Sequence, residues 1–454
     1  MAGEKGIRMV KVIGALAAAL SLAAAYAADG AGWKAGVARV KITPRENVWL
    51  AGYGNRDHPA EGVRQDIWAK ALALEDGSGR TGVIVGIDVC AVDREFYEEF
   101  AGRIAARHGL GRDQVILNCS HTHSGPVVGG ALRYIYPMSE AEREKVRVYT
   151  RWLMDALVGL VGDALADRRP ARIFTGNGLA RFAVNRRSNK EASIRTTHER
   201  KGQVDYSVPV LKAEGADGST RAVLFGYACH LTVLGDYLYS GDYAGYAQCE
   251  VERMHPGATA IFFQGAGADS NPLPRRKESL AVQYGKELAL AVEQALADEL
   301  KERGPVLGLR YERVMLGMEK PISLEEMDSV GKDASPINYR ARWARGTAAA
   351  VRGGATLPGE WPFPVQYWTI GDQKLFALGG ELFAGYALAI KERYGADSFV
   401  MGYCNDVMSY IPTEDAWEKG GYEVGGAHVV YGLPARWTRD VTKRIMDAVD
   451  RIAR

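Results

Sequence analysis

Two histidines separated by one residue give the first chemical signal in the chain, within Asn118-Cys119-Ser120-His121-Thr122-His123-Ser124-Gly125-Pro126. Residues two apart in an extended segment face the same side, so His121 and His123 can address one site. They are a quarter of the chain's eight histidines. A third imidazole comes from Tyr227-Ala228-Cys229-His230-Leu231-Thr232, again where an apolar run ends. A lone histidine is more often a satisfied core residue than a ligand, but His230 ends its run as His121 does. Leu378-Gly379-Gly380-Glu381 adds a carboxylate, and the stretches Gly402 to Tyr410 and Gly421-Tyr422-Glu423 add phenols. Two imidazoles and a carboxylate form a common zinc set that leaves a position for water or another ligand.

Two further segments carry weaker signals. Phe262-Phe263-Gln264-Gly265-Ala266-Gly267-Ala268-Asp269-Ser270-Asn271-Pro272 opens from a strand-like run into a glycine-rich loop. Glycines let backbone N–H groups approach a ligand closely. No Gly-Lys-Ser/Thr follows, so a phosphate loop is a poor reading. Asp242, in Ser240-Gly241-Asp242-Tyr243, is expected to cap a helix rather than do chemistry.

Strand-like and helix-like segments alternate, as an α/β fold with substantial parallel pairing requires. Strands are expected at Val37–Ile42, Ile67–Leu74, Val83–Ile87, Val115–Leu117, Ala222–Tyr227, Ala258–Phe263, Lys374–Leu378 and Ser398–Gly402. Helical spacing marks Arg94–His108, Glu140–Asp167, Leu280–Glu302, Phe383–Tyr394 and Arg436–Ile452. The stretch 66–87, folded about Glu75-Asp76-Gly77-Ser78-Gly79, reads as a hairpin, so the sheets should be mixed and flanked by helices. Gly346 to Pro364 reads as a long surface loop. In such folds ligands bind at the carboxyl ends of strands. His121, His230, Glu381 and Tyr410 all follow such ends and can converge.

Hydrophobic residues at 47% and charged residues at 25% are the proportions of a soluble globular protein. With 57 Lys and Arg against 55 Asp and Glu, no surface-wide basic field supports a nucleic-acid partner. Lys5, Arg8 and Lys11 precede an apolar run of about 14 residues that ends in Ala25-Tyr26-Ala27, the pattern of a secretory signal peptide. The run falls short of the ~20 residues that span a bilayer. Residues 1–27 are therefore expected to be removed, leaving 28–454 as a single periplasmic or secreted domain. Five cysteines, none in a C-x-x-C pair, give no cysteine-rich zinc site. Cys90, Cys119, Cys229 and Cys404 end hydrophobic runs and read as small buried residues. An oxidising compartment would also allow a Cys119–Cys229 disulfide.

The motifs together resemble the neutral/alkaline non-lysosomal ceramidases, zinc-dependent amidases. The likeness rests on His121-Thr122-His123-Ser124-Gly125-Pro126, Asn185-Arg186, His230, Asp242-Tyr243-Ala244-Gly245-Tyr246-Ala247, the Gly-Ala-Asp-Ser-Asn-Pro loop, Gly380-Glu381, Ser409-Tyr410 and Tyr422-Glu423, all in the family's order. It implies one Zn2+ held by His121, His230, Glu381 and Tyr410. It further implies His123 beside the scissile carbonyl or its leaving group, Tyr422 on the oxyanion and Arg186 in the substrate pocket. The implied reaction is hydrolysis of the N-acyl bond of a ceramide-like lipid by zinc-activated water.

Two departures qualify the substrate. Family ceramidases carry a serine immediately before the loop proline, where this chain has Asn271. Ser270 lies one residue early and could serve only if the loop were re-registered, so Asn271 is favoured as a hydrogen-bonding side chain. Characterised relatives also continue into an immunoglobulin-like domain, which is not expected here. Another acylated compound, such as an acyl sugar, is the second substrate reading, and a non-catalytic ligand-binding relative the third. Contact with a membrane surface is compatible with a lipid substrate; the oligomeric state is not legible.

Overall fold

The computed structural model describes residues 32–194, 199–298 and 300–454. The expected leader at 1–27 lies outside these. Strand alternation sorts the core into layers. In the hairpin Trp68–Glu75 and Thr81–Ile87, the residues Ala69, Ala71, Ala73, Val83, Val85 and Ile87 face one way. They pack against the helices Arg94–His108 and Glu140–Ala166 through Phe100, Ile104, Leu153 and Leu157. Leu72, Leu74 and Ile84 face the other way and meet Trp368, Ile370 and Leu375 of a second sheet. On that sheet Phe363, Val365 and Phe376 turn to the helices Ala384–Tyr394 and Val441–Ile452. The order is helix, sheet, sheet, helix.

The larger sheet runs Thr259–Gln264, Thr220–Tyr227, Ser207–Gly215, Arg169–Leu179, Trp33–Lys41, Trp68–Glu75, Thr81–Ile87, Val115–Cys119, with Lys301–Arg303 paired to Arg169–Leu179. The smaller is Leu307–Gly317, Glu360–Ile370, Gln373–Leu378, Phe399–Met401. Both are mixed. Parallel pairing is scarcer than the sequence implied: in the larger sheet only the outermost pair at each end is parallel.

All eight expected strands and five expected helices exist, with shifted ends. Two boundaries move most, by five residues each: the helix expected over Leu280–Glu302 is Glu278–Ala297 and stops before the strand Lys301–Arg303, part of which the expectation had absorbed. The last helix starts at Val441 rather than Arg436. The surface loop read over Gly346 to Pro364 is corrected. Its first part continues the helix Tyr339–Arg352, capped by Asn338 Oδ1 on Ala341 N, and its end opens the strand Glu360–Ile370. The prolines at 362 and 364 obscured that strand. No helix among the described residues is long and apolar enough to cross a membrane. Cys119 and Cys229 are free, so the disulfide is not formed; four of the cysteines are buried and Cys249 is exposed.

The two edges of the larger sheet meet at one side chain. Asn118, fully buried, accepts from Gln264 N at 2.8 Å and donates from Nδ2 to Gly402 O at 2.7 Å and Gln264 O at 3.3 Å. Its carboxamide thus stands in for a strand, joining Val115–Cys119, Thr259–Gln264 and the end of Phe399–Met401. Removing it strands buried backbone groups, each costing about 1–3 kcal/mol. Asn118→Ala is therefore expected to lower unfolding free energy by about 3 kcal/mol, read from the denaturation midpoint; a loss under about 1 kcal/mol would contradict this account.

Candidate metal centre

Four strand ends deliver the site. His121 leaves Val115–Cys119 in a left-handed conformation, φ 63°, unusual for a non-glycine residue, and its N–H donates to Val89 O at 3.0 Å. His230 follows Thr220–Tyr227, with its N–H on Ser270 O at 2.9 Å. Thr122 and Leu231 form a parallel bridge, setting the two histidine segments side by side. Glu381 and Tyr410 are register partners in the short parallel pair Glu381–Leu382 and Tyr410–Ile411.

The imidazoles have fixed tautomers. His121 Nδ1 donates to Cys90 O at 2.7 Å and His230 Nδ1 to Gly267 O at 2.9 Å. A neutral imidazole that donates from Nδ1 carries a bare lone pair on Nε2. His121 Nε2 stands 3.3 Å and His230 Nε2 3.2 Å from Glu381 Oε2. His121, His230 and Glu381 each offer one ligand atom, all within 4.8 Å of one another, and all three residues are buried. Three acceptors facing one another in a buried pocket call for donors or positive charge among them. Burial and the Arg186 charge push the His230 pKa down to about 4, so it is neutral at pH 7. Burial opposes charge on His121 as well, yet Cys90 and Glu381 outweigh it and raise its pKa. Burial would raise that of Glu381, but His121 and His230 hold it well below the usual range. A proton on His121 or a cation among the three satisfies the set, and the donor types suit zinc.

The other expected residues are grouped around this point. Tyr410 OH lies 3.4 Å from His230 Nε2, the rings stacked within 8°. His123 Nε2 lies 3.1 Å from His121 Nε2, and its buried Nδ1 has no hydrogen-bond partner. Arg186 brings Nη1 to 3.4 Å from His230 Nε2, covers the Tyr410 ring at 5.3 Å, and pairs with Glu423 at 3.0 Å. Tyr422 sits at the rim, 45% exposed, its ring 5.9 Å from that of Tyr410. Ser270 and Asn271 are adjacent in the strand Ser270–Pro272, opposite Asn185 and Val184, so their side chains take opposite faces. Both are buried, and Ser270 Oγ and Asn271 Oδ1 lack partners.

The glycine loop has a different task from the one expected. A Cβ on Gly267 would fall 2.4 Å from Cys229 N, so its glycine admits the His230 segment, and its carbonyl orients the imidazole. Asp242 begins its helix with φ 51° and accepts from Leu234 N at 2.9 Å, holding the loop after His230. Several contributors escaped sequence reading. Gly52, φ 96°, has room for no Cβ because His123 Cγ would lie 2.4 Å away. Tyr53 meets the His123 ring edge-on at 4.7 Å. Tyr403 OH is 3.5 Å from Glu381 Oε2, and Tyr431 OH donates to Glu381 Oε1. Among 22 tyrosines nothing in spacing marks Tyr431, and the Cys90 and Gly267 carbonyls are backbone atoms that leave no compositional trace.

With this geometry, comparison with known proteins is informative. The family model described as neutral/alkaline non-lysosomal ceramidase, N-terminal, matches residues 33–272, more than half of the chain. The chain belongs to that family. The matched stretch includes His121, His123, Arg186 and His230. The chain is 28% identical over 246 residues to Neutral ceramidase 1 of Arabidopsis thaliana, covering 52% of this chain and 31% of that protein. It is 29% identical over 258 residues to the Neutral ceramidase of Drosophila melanogaster, covering 53% and 35%. It therefore spans about a third of the length of these relatives. The neutral ceramidase structure from Pseudomonas aeruginosa shares the fold, with TM-score 0.69 and 19% identity over 93% of this chain and 74% of that one. A ceramidase complexed with C2 aligns with TM-score 0.67 and 18% identity over 93% and 76%.

His121→Ala and His230→Ala are each expected to abolish stoichiometric zinc uptake, because each removes one of the two imidazoles whose Nε2 faces Glu381 Oε2. Elemental analysis after zinc loading checks this; undiminished zinc in either variant would refute the ligand set.

Proposed function

We propose that the protein is an exported zinc-dependent amidohydrolase that cleaves the N-acyl bond of a ceramide-like lipid. The observation that carries the reading is the convergence of His121 Nε2, His230 Nε2 and Glu381 Oε2, in a member of the ceramidase family. One Zn2+ would be held by these atoms with the Tyr410 hydroxyl beside them. A zinc ion at such a site polarises a carbonyl and lowers the pKa of water to about 7.

The chain's own groups supply the rest. The Cys90 and Gly267 carbonyls keep both ligand nitrogens bare. Arg186, steadied by Glu423, lines the substrate pocket beside His230 and Tyr410. Tyr422, at the rim, donates to the oxygen that becomes negative as the amide carbonyl is attacked. His123, free at Nδ1, contacts the carbonyl or the leaving nitrogen. Asn271 hydrogen-bonds the substrate amide, with Ser270 on the opposite face of its strand. The lipid substrate follows from what the relatives are called. The basic, apolar and Ala-x-Ala pattern of residues 5–27 supports export, and such a substrate would be met at a membrane surface.

The test is incubation of zinc-analysed protein with N-acyl sphingoid bases and acylated sugars, with products read by mass spectrometry. Zinc-dependent release of fatty acid and sphingoid amine is expected, abolished by chelation and restored by zinc. Hydrolysis of the sugars alone would replace the substrate, and no turnover by the zinc-loaded protein would leave a binding protein. Within this reading Ser270→Ala keeps most of its turnover, whereas Asn271→Ala loses roughly tenfold, the worth of one buried hydrogen bond. Near-total loss in Ser270→Ala would transfer the role to the serine.

A further inference from the structure

We infer that Tyr431 is the positioning residue of the metal centre: its hydroxyl caps Glu381 Oε1 and leaves Oε2 as the single carboxylate oxygen offered to the cation. The inference rests on the metal reading above. The two oxygens of Glu381 have different neighbours. Oε2 faces His121 Nε2 at 3.3 Å and His230 Nε2 at 3.2 Å, the direction from which a shared ion is gripped, and the Tyr403 hydroxyl reaches it only at the 3.5 Å limit of a hydrogen bond. Oε1 accepts the hydrogen bond of the Tyr431 hydroxyl. A carboxylate can bind a cation through one oxygen or two. An oxygen already engaged by a phenolic donor has given up a lone pair, so the cap selects the one-oxygen mode.

Tyr431 is well held for this task. It ends the helix Ala427–Tyr431, which Gly432 stops with φ 82°. Its ring meets Tyr410 edge-on, 83° between planes with centroids 6.5 Å apart, so it touches two of the four proposed ligands. It also borders two of the hydrophobic clusters, where the helix-covered face of the larger sheet and that of the smaller sheet come together. The helix that carries it begins five residues after Tyr422, so one short segment supplies both the rim phenol and the cap. Partners of ligands in other metal sites fix ligand orientation in this way, and losing one weakens metal affinity by about 10–100-fold.

The experiment is Tyr431→Phe, which removes one oxygen and keeps the ring. Zinc affinity is measured by competition with a chelator, and the cobalt-substituted form is compared by its visible absorption spectrum. Tyr386→Phe is the control for loss of a buried phenol, because that hydroxyl donates to Pro412 O at 3.0 Å, away from Glu381. Tyr431→Phe is expected to bind zinc about 10–100-fold more weakly and to alter the cobalt spectrum, with parental values in Tyr386→Phe. Affinity within twofold of the parent and an unchanged spectrum overturn the inference while the metal reading stands. Equal losses in both variants overturn it as well, since a generic packing defect would then suffice. A parent chain that takes up no zinc sinks the metal reading and the inference together.

Discussion

Three lone pairs aimed at one another in a buried pocket are costly unless donors or positive charge lie among them, and the segments that carry them are arranged around this confrontation. Neither imidazole can relieve it by switching tautomer, because each Nδ1 is committed to a carbonyl oxygen. Those carbonyls lie in the loops just past the strands Thr81–Ile87 and Thr259–Gln264, so the requirement propagates into the backbone. The left-handed φ of His121, the glycine at 267 and the parallel pairing of Glu381 with Tyr410 all serve to bring the acceptors to one place.

The layered architecture explains how four segments so far apart in sequence arrive together. Two sheets packed face to face send strand ends to a shared rim, and Asn118 ties three of those ends just ahead of His121. Around the rim a second circle of contacts restrains the side chains themselves. Gly52 and Tyr53 back His123, Glu423 holds Arg186 and Arg187, and Tyr431 holds Glu381. Arg187 also donates to Gly420 O at 2.6 Å, which fixes the turn before Tyr422.

Much of this was legible in the sequence, for definite reasons. The eight runs rich in branched residues became strands because buried strands need such residues continuously, and His121, His230 and Glu381 were visible because rare chemistry at strand ends stands out. The strands Arg169–Leu179, Ser207–Gly215, Leu307–Gly317 and Glu360–Ile370 were not. Their prolines, glycines and charged residues, such as Arg310, Glu312 and Arg313, imitate loops. They are strands because neighbours supply the pairing, a tertiary effect that local pattern does not encode. The orienting carbonyls and the Tyr431 hydroxyl were hidden for the same reason: their importance lies in where they end up.

The order of the ligands along the chain has a consequence for biogenesis. Both imidazoles are synthesised in the first 230 residues, whereas the carboxylate and phenol arrive only at 381 and 410. A nascent polypeptide interrupted between them would own half a coordination sphere, too poor in donors to retain an ion against cellular competitors. On the zinc reading proposed above, metallation would therefore come late, after the smaller sheet has docked, and the ion would act as a rivet between the early and late halves of the polypeptide.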